Sequence, residues 1–146
     1  MVTSNKKQSQ SNIFLANCTS RQVLNLIADQ WTALVIYALE SGTKRFSQLF
    51  THIDGISKKM LSQTLHDMER NGLVQRMVYP VVPPRVEYSL TTLGQTLIEP
   101  IIALRSWAEE HLDEVKEARV KHDQIEHIAV QEQTASLVQQ RAVLPE

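Results

Sequence analysis

One cysteine in 146 residues leaves no partner for an internal disulfide and rules out a thiolate-rich zinc site. Four glycines are too few to form a phosphate or dinucleotide cradle, and neither HExxH nor a P-loop occurs. No apolar run is long enough to cross a bilayer, and Met1 to Asn12 is polar where an export signal needs an apolar centre. We therefore expect a cytoplasmic protein without membrane contact, in which Asn17-Cys18-Thr19 matches a glycosylation acceptor only by chance. A formal net charge of −1 excludes a uniformly cationic surface.

The hydrophobic content, 42%, can build one modest core, so we expect a single domain with extensions. The expected division is a disordered arm over 1–12, a folded domain over 13–118, and a helical or frayed tail over 119–146. Charge is distributed unevenly. Lys44 to Arg85 holds seven Lys or Arg against three acids (Asp54, Asp67, Glu69), whereas the rest holds eight against thirteen. A local cationic excess of this kind steers a protein towards phosphates.

The segment Gly55 to Leu73 lies within that excess and reads as a helix with marked ends. Ser57 can cap the first turn, and Gly72 stands where a helix stops in positive φ. Leu61, Leu65 and Met68 recur at helical spacing and form one apolar stripe. Lys58, Ser62, Gln63, His66 and Arg70 fall largely off it, giving donors suited to phosphates and base edges. A solvated face is the commoner reason for such a pattern, so the neighbouring segments must decide.

Before this segment, Thr19 to Asp29 carries Val23, Leu24, Ile27 and Ala28, and Trp31 to Glu40 carries Trp31, Leu34, Val35, Ala38 and Leu39. Both predict helices that together supply most of the core. A shorter helix with Phe46, Leu49 and Phe50 follows, and a turn at Asp54-Gly55 leads to Ser57. After Gly72 the period changes: Leu73 to Tyr79 and Val86 to Leu90 read as strands around the proline-stiffened tip Pro80 to Pro84. Such a hairpin is either a wing, with Arg76 and Arg85 meeting nucleic acid, or a cover for the core. Thr91-Thr92 then caps a long helix with Leu93, Leu97, Ile101, Leu104, Ala108, His111 or Leu112, and Val115 in one seam, kinked at Pro100. We expect a homodimer through Leu97, Ile101, Leu104, Trp107, Ala108 and Leu112.

The chain carries five ordered sequence blocks. They are Arg45-Phe46-Ser47-x-Leu49; Gly55-Ile56-Ser57 with Met60-Leu61; Asn71-Gly72-Leu73-Val74; Pro83-Pro84-Arg85-Val86-Glu87-Tyr88-Ser89-Leu90-Thr91; and Leu97, Pro100, Leu104 and Trp107. From about Cys18 to Trp107 the chain resembles the HxlR family of bacterial winged helix-turn-helix transcription regulators. The resemblance implies a mostly α fold with a small β-hairpin wing, dimerising through N- and C-terminal helices. It also implies a homodimer on double-stranded operator DNA, with the Ser57 to Asn71 helix in the major groove. The expected contact set is Arg45, Ser57, Lys58, Lys59, Ser62, Gln63, His66, Arg76 and Arg85, and we expect a repressor. The chain departs from the family's pattern at Ala28-Asp29-Gln30, where a lysine is common before the tryptophan, and at Lys59, where many members have arginine.

Cys18 stands just before a helix start and three residues from Arg21, and both features favour the thiolate. Some members of the family it resembles sense oxidants or electrophiles at this position, usually with proline next rather than Thr19. A buried, inert thiol is the alternative. His122, Glu126 and His127 miss a metalloprotease spacing by one residue, so no metal, cofactor or enzymatic role is expected. A winged-helix adaptor that binds protein instead of DNA is the competing function, and salt dependence of duplex binding separates the two.

Overall fold

A computed structural model describes residues 12–143. The expected arm over 1–12 falls outside this range except for Asn12. The chain divides into two compact units, ending at Ile101 and beginning at Ile102.

The first unit opens with α1 (Thr19–Ala28) and α2 (Gln30–Glu40). The Asp29 carboxylate caps α2, accepting from Trp31 N–H at 2.9 Å and Thr32 N–H at 3.2 Å. The residue that departs from the family's pattern thus has a local structural task. α2 buries Thr32, Val35, Ile36, Ala38 and Leu39, but Leu34, expected in the stripe, is exposed. α1 buries no residue, which corrects the expectation that it supplies the core: Val23 and Leu24 face solvent, and Leu26 packs only partly against the cluster. An amphipathic pattern shows that a helix has an apolar face, not that its own chain covers it.

A two-residue strand β1 (Lys44–Arg45), which the sequence reading did not anticipate, precedes α3 (Phe46–His52) and α4 (Lys58–Arg70). The wing strands β2 (Val74–Tyr79) and β3 (Arg85–Leu90) follow, and the antiparallel sheet has the order β1-β3-β2. Leu49, Leu61, Leu65, Met68, Val74 and Tyr88 join the α2 residues in one core. This is a winged helix-turn-helix.

The expected long helix is broken into α5 (Thr92–Gln95), α6 (Ile98–Glu110) and α7 (Leu112–Ala142). Thr91 caps the short α5, its hydroxyl accepting from Gly94 N–H at 3.0 Å. The four-three apolar spacing runs across the breaks, so periodicity alone could not mark them. Pro100 produces no mid-helix kink. It stands in the first turn of α6, where a backbone N–H would have no intrahelical acceptor. Ile98 and Ile101 belong to the first unit's cluster, and Tyr37 Oη donates to the Ile101 carbonyl at 2.6 Å.

In the second unit α7 runs through position 118 and on to Ala142, so the segment from 119 is helical, and α7 buries no residue. No described helix is long and apolar enough to cross a membrane.

Candidate nucleic-acid interface

Local chemistry fixes both ends of α4. Ser57 Oγ accepts from Met60 N–H at 3.0 Å, and its own O–H remains able to donate. Asn71 ends the helix, and Gly72 follows at φ 73°, a conformation glycine adopts without strain. At about 100° per residue, Lys58, Ser62, His66, Lys59, Arg70 and Gln63 share an arc of about 140°, opposite the buried Leu61, Thr64, Leu65 and Met68. All six are exposed, and no acid occupies the first turn. Glu69 shares the arc only near its end. The exposed turns therefore offer cations, amide and hydroxyl groups beside a positive helix N-terminus.

Two of these side chains are already engaged. Lys58 Nζ lies 5.7 Å from the centre of the Phe50 ring, a contact that ties the helix start to α3. Gln63 Nε2 donates to Asp67 Oδ1 at 3.1 Å, which fixes the amide along the helix.

The register of the wing separates its two arginines. Arg76 pairs with Tyr88, and Tyr79 pairs with Arg85. Side chains alternate across a strand, so Arg76 shares the face of the buried Val74 and Tyr88 while Arg85 projects from the other. Both arginines belong to the expected contact set, and the register puts them on opposite faces of the hairpin. Arg45, exposed on β1, lies opposite Glu87 and so shares the face of Arg85. The Arg85 guanidinium carbon stands 4.4 Å from the Tyr79 ring centre, and its Nε lies 3.1 Å from Glu87 Oε1. That last contact is an ion pair whose alignment falls short of a hydrogen bond. Tyr79 and Glu87 were absent from the expected contact set; counting the hairpin pairs outward from the tip is the signal that would have found them.

Of the residues expected to meet a second copy, Ile101 is 3% exposed and buried in its own chain's core, so it has no surface to contribute. Leu97 is half-buried against the same cluster. Leu104 is 68% exposed and Trp107 58%, and Ala108 and Leu112 also face solvent. Trp107 leans on His111 with ring centres 5.0 Å apart. In the first unit, Phe14, Leu15, Val23 and Leu24 are likewise exposed.

Cys18 is the N-cap residue of α1 and is partly exposed. Its carbonyl accepts from Gln22 N–H at 3.1 Å, while the Arg21 guanidinium donates to the Phe14 carbonyl, also at 3.1 Å. His122, Asp123 and Glu126 bring ligand atoms within 4.8 Å of one another on the exposed surface of α7. His127 instead contacts Gln131 at 3.0 Å.

The geometry agrees with what comparison with known proteins finds. The HTH-type transcriptional regulator YtfH of Escherichia coli is 44% identical over 118 residues, covering 81% of this chain and 94% of its own. YdeP of Bacillus subtilis, also named an HTH-type transcriptional regulator, is 36% identical over 111 residues, 74% of this chain and 87% of its own. Among solved structures, transcriptional regulator YtfH from Salmonella typhimurium aligns with a TM-score of 0.70 at 44% identity, covering 75% of this chain and 97% of that one. The redox regulator HypR in its reduced form aligns with a TM-score of 0.62 at 34% identity, covering 66% and 96%. The sequence model described as HxlR-like helix-turn-helix matches residues 26–116, from α1 to the start of α7, and the chain belongs to that family.

Proposed function

We propose that this protein is a sequence-specific DNA-binding transcription regulator, a cytoplasmic homodimer that represses by setting α4 into the major groove with the wing alongside. The observation that carries this reading is the exposed arc of α4, where Lys58, Lys59, Ser62, Gln63, His66 and Arg70 face outward from a helix anchored on its opposite side by the core. Lysines contribute phosphate contacts, while the amide and hydroxyl read base edges. The transcriptional-regulator names of its relatives support the same reading.

Exposed apolar groups on α1, α6 and the start of α7 support dimerisation, since apolar surface of this extent marks an interface. Two copies related by a two-fold axis place their α4 helices about 34 Å apart, one duplex turn. Partly exposed Cys18 at the start of α1 is the switch in this reading: its oxidation or alkylation by a small oxidant or electrophile loosens operator binding. The similarity to the redox regulator HypR supports that assignment.

Duplex binding measured across a salt series tests the function. With about four cationic phosphate contacts per copy, log K falls against log salt with a slope of about −7. A slope near zero, or no duplex binding at all, would leave the protein-binding adaptor as the better account.

A further inference from the structure

We infer that Arg45 and Arg85, with Tyr79 and Glu87 as positioning residues, form a preorganised seat for one phosphate of the DNA backbone. The seat rests on the DNA-binding reading and adds to it a site built outside α4.

The sheet register creates the site. Arg45 lies opposite Glu87, Arg85 lies opposite Tyr79, and Arg85 and Glu87 are two residues apart on one strand, so all four side chains share a face. The Tyr79 ring fixes the guanidinium at 4.4 Å, and Glu87 holds Nε at 3.1 Å. Nε is shut off from solvent and makes no hydrogen bond, so the guanidinium is oriented by the ring and the ion pair. The terminal fork is the part of arginine that matches a phosphate, and fixing it beforehand lowers the ordering entropy lost on binding.

A concavity of about 360 Å³ lies beside these groups, lined by Arg45, Ser47, Pro83, Pro84 and Arg85 among others. It brings two cations and a hydroxyl donor to one open hollow. The prolines restrict the backbone of the tip that forms one wall. Arg76, on the opposite face, is outside the seat.

The test uses the full chain and a mixed-sequence duplex about three helical turns long, because phosphate contacts act on any sequence. Arg85→Ala should reduce the salt slope by about two for a dimer, one per seat. Tyr79 carries no formal charge and lies outside the buried core. Tyr79→Leu should nevertheless shift the slope in the same direction, Tyr79→Phe should retain the wild-type slope, and the Tyr79→Leu, Arg85→Ala double variant should lose no more than Arg85→Ala. If Tyr79→Leu weakens binding equally at every salt concentration, Tyr79 is only structural and the inference fails. Replacing chloride with inorganic phosphate at constant ionic strength separates the two sources of the anion. Phosphate binding that depends on Arg85 while the duplex slope is unchanged would overturn the DNA assignment. A wild-type protein without salt-sensitive duplex binding defeats the DNA-binding reading itself, whereas a steep wild-type slope that Arg85→Ala leaves intact defeats only the seat.

Discussion

Tyr37 Oη donates a 2.6 Å hydrogen bond to the carbonyl of Ile101, joining the middle of α2 to a residue 64 positions later. Tyr37→Phe removes only this hydroxyl, so the expected loss is about 1 kcal/mol of unfolding free energy. Urea denaturation measures it, and duplex affinity of the folded variant should match wild type.

A larger loss is expected at Gly94. A Cβ there would stand 2.1 Å from the Leu73 carbonyl oxygen and 3.0 Å from its carbon, both backbone atoms that cannot rotate away. Gly94→Ala should lower stability by about 3 kcal/mol, the upper end of the usual overpacking range. A variant as stable as wild type in a denaturant titration would contradict this packing between α5 and the start of the wing.

Charge reversal probes the α4 face directly. Lys58 and Lys59 are exposed in its first turn, so Lys58→Glu with Lys59→Glu should abolish duplex binding at moderate salt while the circular dichroism of the fold is retained. Retained binding would reject this helix as the reading element.

Trp107 and Leu104 are exposed apolar groups on α6. In the dimer reading, Trp107→Asp should move the protein from dimer to monomer in sedimentation at micromolar concentration and weaken duplex binding at least tenfold, because two linked half-sites bind more tightly than one. An unchanged sedimentation profile would remove Trp107 from the interface.

Oxidant dependence bears on Cys18. Diamide or peroxide should weaken duplex binding of the wild-type protein, and Cys18→Ser should bind with or without treatment. Equal sensitivity in the variant would place the response elsewhere.

The legible parts of this molecule were those set by short-range chemistry. Ser57 and Gly72 announced both ends of α4 because a cap and a positive-φ stop are local requirements. The α4 stripe was equally plain, since three of its four buried residues are apolar and all four follow helical spacing. β1 escaped notice because two residues carry no period, and it exists only by pairing with β3, more than forty positions on. Whether α1 is covered, and whether Ile101 serves its own core or a second copy, are decided by packing that no pattern of apolar residues records. The separation of Arg76 from Arg85 depended on the register across a five-residue tip, and one slip there exchanges the faces.

The short β1 strand also determines where the sheet is vulnerable. β3 lies between β1 and β2, but β1 covers only Glu87 and Tyr88 on its side, so the longest free rim of the sheet is the outer side of β2. Val74 to Tyr79 is an apolar-rich ribbon, and Arg76 in its middle places a charge on that rim. A charge at that position disfavours edge-to-edge pairing of two wings at high protein concentration.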